Sequence, residues 1–259
     1  MNNKALKIAY LDLLKDIDTT CFQVPEIRKT VYGQLSGLFL PSVSESYSNA
    51  KNKVMIIGSE TAGWEPLAKT KNSYDSFESI DTYVEQSMQK HQRFFKKMLE
   101  KGSNDRGHTF HNFTRVTARA VGGDGLIYAN LFCFDWRKKS PIKYPKFDFV
   151  KDLSGKILDV QIKILQPDYI IFANGISSAK QRRELFPVGE DARCTNGKNH
   201  SEKIASHYLW EFMLDKKSGV SASITHRLEA KKHAWAGHSQ FNCSLKLSHN
   251  SRQLARLSK

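Results

Sequence analysis

The 259-residue chain has few cysteines, no long apolar run and a shortage of acidic residues. Its four cysteines, Cys21, Cys133, Cys194 and Cys243, lie far apart and never at C-x-x-C spacing. That spacing argues against a disulfide scaffold, a zinc ribbon and a four-cysteine iron–sulfur site. No stretch approaches the roughly 18–20 apolar residues needed to cross a bilayer. The amino-terminal stretch MNNKALKIAYLDLLKDIDTT reads as a helix with interspersed charges, and it lacks the apolar segment of a signal peptide. Internal repeats and low-complexity linkers are missing as well. Together these absences predict an intracellular, cytoplasmic protein that uses no metal or cofactor, folded as one domain over residues 1–259.

The shortage of acids leaves 40 Lys+Arg against 26 Asp+Glu, a formal net charge of +14. Such a surplus attracts polyanions, nucleic acid above all, although a basic but otherwise ordinary enzyme would look the same. The carboxyl-terminal stretch is the most one-sided. From Arg227 to Lys259 the bases are Arg227, Lys231, Lys232, Lys246, Arg252, Arg256 and Lys259, and Glu229 is the only acid. Trp235 and Phe241 lie within it, a combination suited to phosphates and bases; a solvated helix face is the alternative.

Four segments have the β-branched, uninterrupted apolar character of strands buried on both faces: Val54–Ile57, Leu126–Ala129, Tyr169–Ala173 and Val220–Ile224. Helical spacing of apolar residues falls between them, over Ile80–Leu99, Phe110–Ala120, Val150–Leu165 and Glu202–Leu214. The alternation predicts an α/β fold: a three-layer α/β/α domain with a central, mainly parallel four-stranded sheet. Residues 1–50 are expected to be a helical and loop extension packed on it, and Phe186–His200 an exposed loop.

Ligands of open parallel sheets bind where the loops leave the carboxyl ends of the strands. Glu60, Asn130, Asn174 and His226 follow the four strands and are expected to face a common cleft. Singly, a strand-end Asn is more often a turn or cap residue, and Glu60 could simply charge a helix start.

The strand ends resemble the uracil-DNA glycosylase superfamily. VMIIGSETAGW supplies the glycine turn at Gly58 and places Glu60 where the family has its catalytic acid or amide. LIYANLFCFDW places Asn130 at the base-reading position. LQPDYIIFANG matches the third landmark, and SASITHRLEAKKHAWAGHSQF matches the fourth through His226. The resemblance spans about Val54 to Asn242. Thr61 stands where many members have Pro, and Arg227-Leu228 replace Pro-Ser.

It implies a monofunctional DNA glycosylase that flips a pyrimidine from DNA and hydrolyses its N-glycosidic bond, leaving an abasic site. Glu60 would stabilise the cationic sugar and activate water, His226 would support the departing base, and Asn130 would pair with the base edge. Tyr74 lies near the family's stacking position, with Trp64 and Phe132 as rivals. Ala62, followed by Gly63, replaces a tyrosine that excludes 5-substituents in strictly uracil-selective members. The pocket is therefore expected to admit 5-substituted or bulky bases, such as the modified cytosines of phage DNA, which implies a role in phage defence. Arg227, Leu228, Lys231, Lys232 and Trp235 would meet the duplex, with Leu228 or Trp235 as a wedge. DNA is the expected partner of a monomer. The competing reading is a catalytically silent DNA-binding protein on the same fold. A nucleotide-binding enzyme is disfavoured, because GSETAG is neither a Walker A loop nor a G-x-G-x-x-G turn.

Overall fold

The computed structural model describes residues 2–69, 73–102, 109–199, 209–215 and 217–222. Helix α1 (Asn2–Leu14) buries Leu6, Tyr10 and Leu14, a single stripe at i, i+4, i+8. Helix α2 (Pro25–Tyr32) starts with proline at its first position and stops at Gly33, whose left-handed φ of 51° ends the helix. Strand β1 (Val54–Gly58) leads through a long loop to α3 (Ile80–Glu100), where the Ser79 hydroxyl caps the helix by accepting from the Thr82 N–H. Then come α4 (Thr109–Val121), β2 (Leu126–Asn130) and α5 (Phe147–Leu165). Gln166 closes α5 in the left-handed region, its N–H donating to Ile162 O, and Pro167 prevents any continuation. Strand β3 (Tyr169–Phe172), helix α6 (Ala179–Leu185) and strands β4 (Cys194–Asn199), β5 (Leu209–Leu214) and β6 (Lys217–Ala222) complete the described elements.

The strands form one sheet in the order β2-β1-β3-β6-β5-β4. β2, β1, β3 and β6 are mutually parallel, whereas β5 and β4 are added antiparallel. The sheet thus has six strands, not four. β5 occupies residues expected to be the end of a helix, and β4 lies in the expected loop. Both misreadings have a physical origin. In β5 the core residues Phe212 and Leu214 recur with period two, but the neighbouring Trp210 and Met213 blur that alternation into an apolar run. In β4, Asn196-Gly197 resembles a turn; instead Asn196 adopts a φ of 53° and the register shifts between Thr195 and Lys198, a bulge within the strand.

Alternate residues of the central strands feed two cores. Met55, Ile57, Ile127, Ala129, Ile170 and Phe172 face one side, against α1, α5 and the first half of α3. Val54, Ile56, Leu126, Tyr128 and Ile171 face the other, against α4 and the second half of α3. Covering both faces in this way is what uninterrupted apolar strands demand. Residues 35–43 belong to the amino-terminal extension and pack closely on the domain. They thread through the core: Ser36 and Phe39 N–H groups donate to Asp135 O and Cys133 O, and Leu38 N–H donates to the Tyr83 hydroxyl. Among the described residues, no helix is long and apolar enough to cross a membrane.

Candidate functional site

Parallel register brings the carboxyl ends of β1, β2 and β3 side by side. Gly58 pairs with Asn130, and beyond the strands Leu131 N–H donates to Gly58 O at 2.8 Å and Phe132 N–H to Ser59 O at 2.9 Å. Any side chain at position 58 would displace Asn130 or Phe110. A Cβ there would stand 2.6 Å from Asn130 Oδ1 and 3.0 Å from the Phe110 ring. The missing side chain is thus the space in which the Asn130 amide and the Phe110 ring approach the backbone just before Glu60.

Glu60 is half-buried, and its Oε2 is shut off from solvent with no hydrogen-bond partner. Burial pushes its carboxyl above the ordinary range; the charge of Asp135 adds to the push and the Ser59 hydroxyl opposes it. Next to it, the Asn130 Nδ2 donates a long 3.5 Å bond to the Tyr128 hydroxyl. Burial raises that phenol to about 12, and the nearby Glu60 charge contributes. Tyr128 and Asn130 share one face of β2, because side chains of a strand alternate. Carboxyl, amide and phenol therefore converge at one sheet edge.

Asp135 holds the loop that follows Glu60. Its Oδ2 accepts from the Thr61 hydroxyl (2.7 Å) and from the N–H groups of Gly63 (2.7 Å) and Trp64 (3.3 Å), while Oδ1 accepts from Lys138 N–H (3.0 Å). The side chain is almost wholly buried, so these bonds form in a poorly screened setting. They leave Ala62 and Gly63 exposed at the rim, Gly63 with a φ of 86°.

The sequence candidates fare unequally. Glu60, Asn130, Ala62 and Gly63 are brought into one neighbourhood. Asn174 is spent locally: its Nδ2 donates to Ser178 Oγ (2.8 Å), which donates back to Asn174 O (2.7 Å) and meets Ser59 Oγ at 3.1 Å. That is the turn-residue role of a strand-end Asn, although through Ser178 it braces the residue beside Glu60. Phe132 is fully buried in the main core, edge-on to Phe147 of α5 at 5.6 Å, so its ring is a packing residue. Its position two residues beyond Asn130 gives no clue to this, since the chain has left the strand by then. Trp64 is buried edge-on against Phe39, with Lys90 Nζ over its ring. Tyr74 contacts Lys69, whose Nζ sits 4.9 Å from the ring centroid. His226, Arg227, Leu228, Lys231, Lys232 and Trp235 lie outside the described residues.

Sequence reasoning missed Tyr128, Phe110 and Asp135. The period-two relation of Tyr128 to Asn130 was the available signal for the first. Phe110 reaches the site only through the packing of α4 on the sheet, its ring 5.2 Å from that of Tyr128. Among the described residues, no group of three or more His, Cys, Asp or Glu is gathered to hold a metal ion. Comparison with protein-family models finds no match, and no curated protein matches the chain.

Proposed function

We propose that this protein is a monofunctional DNA glycosylase that accommodates a flipped pyrimidine at the carboxyl ends of β1 and β2. The observation that carries the reading is the unpartnered, buried Oε2 of Glu60 beside the Asn130 amide and the Tyr128 hydroxyl. A buried acceptor without a donor costs free energy, and such groups persist where a ligand supplies the partner.

Loss of a base passes through an oxocarbenium-like sugar and an anionic leaving group. Glu60 as carboxylate would stabilise the sugar cation and take a proton from the attacking water. The amide of Asn130 offers an acceptor and donors to the edge of a pyrimidine. Phe110, half-buried against Gly58, is better placed than Phe132 to stack on that base. The exposed Ala62-Gly63 rim has no ring to block a 5-substituent, which favours 5-substituted or bulky bases and hence a role against modified phage DNA.

The test is mass spectrometry of free bases released from duplexes carrying uracil, 5-hydroxymethyluracil or glucosylated hydroxymethylcytosine. Base release by the native protein, abolished in Glu60→Gln with DNA affinity kept, is the expected result. No release from any substrate, with DNA bound equally by both proteins, would establish the silent DNA-binding alternative. Release of uracil alone would remove the bulky-base part of the proposal.

A further inference from the structure

The β2 exit loop closes a hairpin whose turn carries residues ill-suited to its backbone. Trp136 N–H donates to Lys139 O at 2.9 Å and Lys139 N–H donates back at 3.0 Å, so Arg137 and Lys138 alone make the connection. Both are left-handed, with φ of 54° and 60°. A two-residue turn with both central φ positive is the type I′ geometry, which favours Asn-Gly and penalises long L side chains through their Cβ.

Strain of this kind persists where the surroundings over-determine it, and it gathers at functional positions. Here the surroundings do over-determine it. Lys138 N–H is held by Asp135 Oδ1 (3.0 Å), Arg137 N–H donates to Gln34 O (3.2 Å), and Trp136 Nε1 donates to Gly33 O (2.6 Å). The turn also abuts the loop after Glu60: a Cβ on Gly63 would lie 3.2 Å from Lys138 Cγ. The Arg137 guanidinium is spread over the Trp136 ring, 4.6 Å from its centroid. Arg137, Lys138 and Lys139 are all exposed, and among the described residues none of them is in an ion pair. A rigid, unneutralised pair of cations is thus displayed at the rim of the carboxyl-lined site.

We propose that the Arg137–Lys138 turn is a phosphate clamp that grips the DNA backbone beside the nucleotide lodged at Glu60. It rests on the glycosylase reading for the identity of the polyanion. The guanidinium fork suits a phosphate bidentately, and the ammonium adds a point charge beside it. Displayed on a braced turn, both lose less freedom on binding than the same side chains on a free tail would.

The backbone strain gives the test its sign. Arg137→Asn/Lys138→Gly installs the residues that the turn prefers and removes both charges. In the full chain, on a Glu60→Gln background, binding of a short fluorescein-labelled duplex is followed by anisotropy across a salt series. The expected result is a roughly tenfold loss of affinity near physiological salt, with the log–log salt slope shallower by nearly 2. Thermal unfolding should shift upward by about 4 °C as strain is released. Arg137→Gln/Lys138→Gln should lose the same salt slope without that gain. Unchanged affinity and slope in both variants would overturn the clamp. Failure of the glycosylase reading is seen separately, as absence of base release by the protein with Glu60 intact.

Discussion

Glu60 is half-buried and His91 fully buried, and desolvation moves the two titratable groups in opposite directions. His91 is fully enclosed: its Nδ1 accepts from Ser42 N–H at 3.1 Å and its Nε2 donates to Tyr128 O at 3.0 Å, which fixes the backbone that carries the Tyr128 phenol. Burial lowers the imidazole to about 4. A depressed folded value means that the unfolded chain takes up a proton first. Stability from His91 is therefore full above about pH 6.5 and is lost as pH falls toward 4, by about 3 kcal/mol. Glu60 runs the other way. Its raised folded value favours the neutral acid, so its ionisation costs stability as pH rises through and beyond the usual carboxylate range. Unfolding titrations from pH 7.5 to 4 should show Glu60→Gln more stable than the native protein at the neutral end and converging with it in acid. His91→Gln should flatten the acid decline. A Glu60→Gln variant equally destabilised at both ends would mean that Glu60 is held by contacts other than those seen here.

At the scale of elements, Phe110 of α4 and Phe132 of the β2 exit loop cannot be distinguished by role from sequence alone. Phe132 is at 0% exposure in the main core, whereas Phe110 is half-buried against Gly58 and Tyr128. Phe132→Ala should cost about 3–5 kcal/mol through its cavity and impair base release only by unfolding the protein. Phe110→Ala should cost less stability yet reduce base release from folded protein by tenfold or more, near the roughly 1–3 kcal/mol that stacking one base contributes. Denaturation midpoints paired with single-turnover release separate the two, and equal effects on release per folded molecule would refute the assignment. The same contrast explains what could be read in advance. The segments that became β1, β2 and β3 were legible because strands buried on both faces are continuously apolar, and Glu60 and Asn130 because parallel strands align their exits. The antiparallel strands were not legible, since Asn196-Gly197 mimics a turn and β5 lacks a clean alternation. Nor was Asp135, whose role depends on four donors from Thr61, Gly63, Trp64 and Lys138 that only the folded loop assembles.

For the molecule as a whole, the charge of +14 has more than one location. The stretch from Arg227 to Lys259 has seven bases and one acid, which leaves most of the surplus elsewhere in the chain. The Arg137–Lys138 turn is one such place, rigid and beside the Glu60 loop. If turn and tail grip the same duplex around one extruded nucleotide, their contributions to counterion release belong to a single footprint and should add. Arg227→Ala/Lys231→Ala/Lys232→Ala should then make the salt slope shallower by close to 3, and combining it with Arg137→Asn/Lys138→Gly should remove nearly 5 in all. The turn variant should still unfold cooperatively, because it relieves strain, and the same measurement on the combined protein checks that any loss of slope comes from folded protein. A combined slope no shallower than that of the triple variant would show the tail binding DNA in a mode that excludes the turn. The basic surface would then be two alternative sites, not one continuous seat for the duplex.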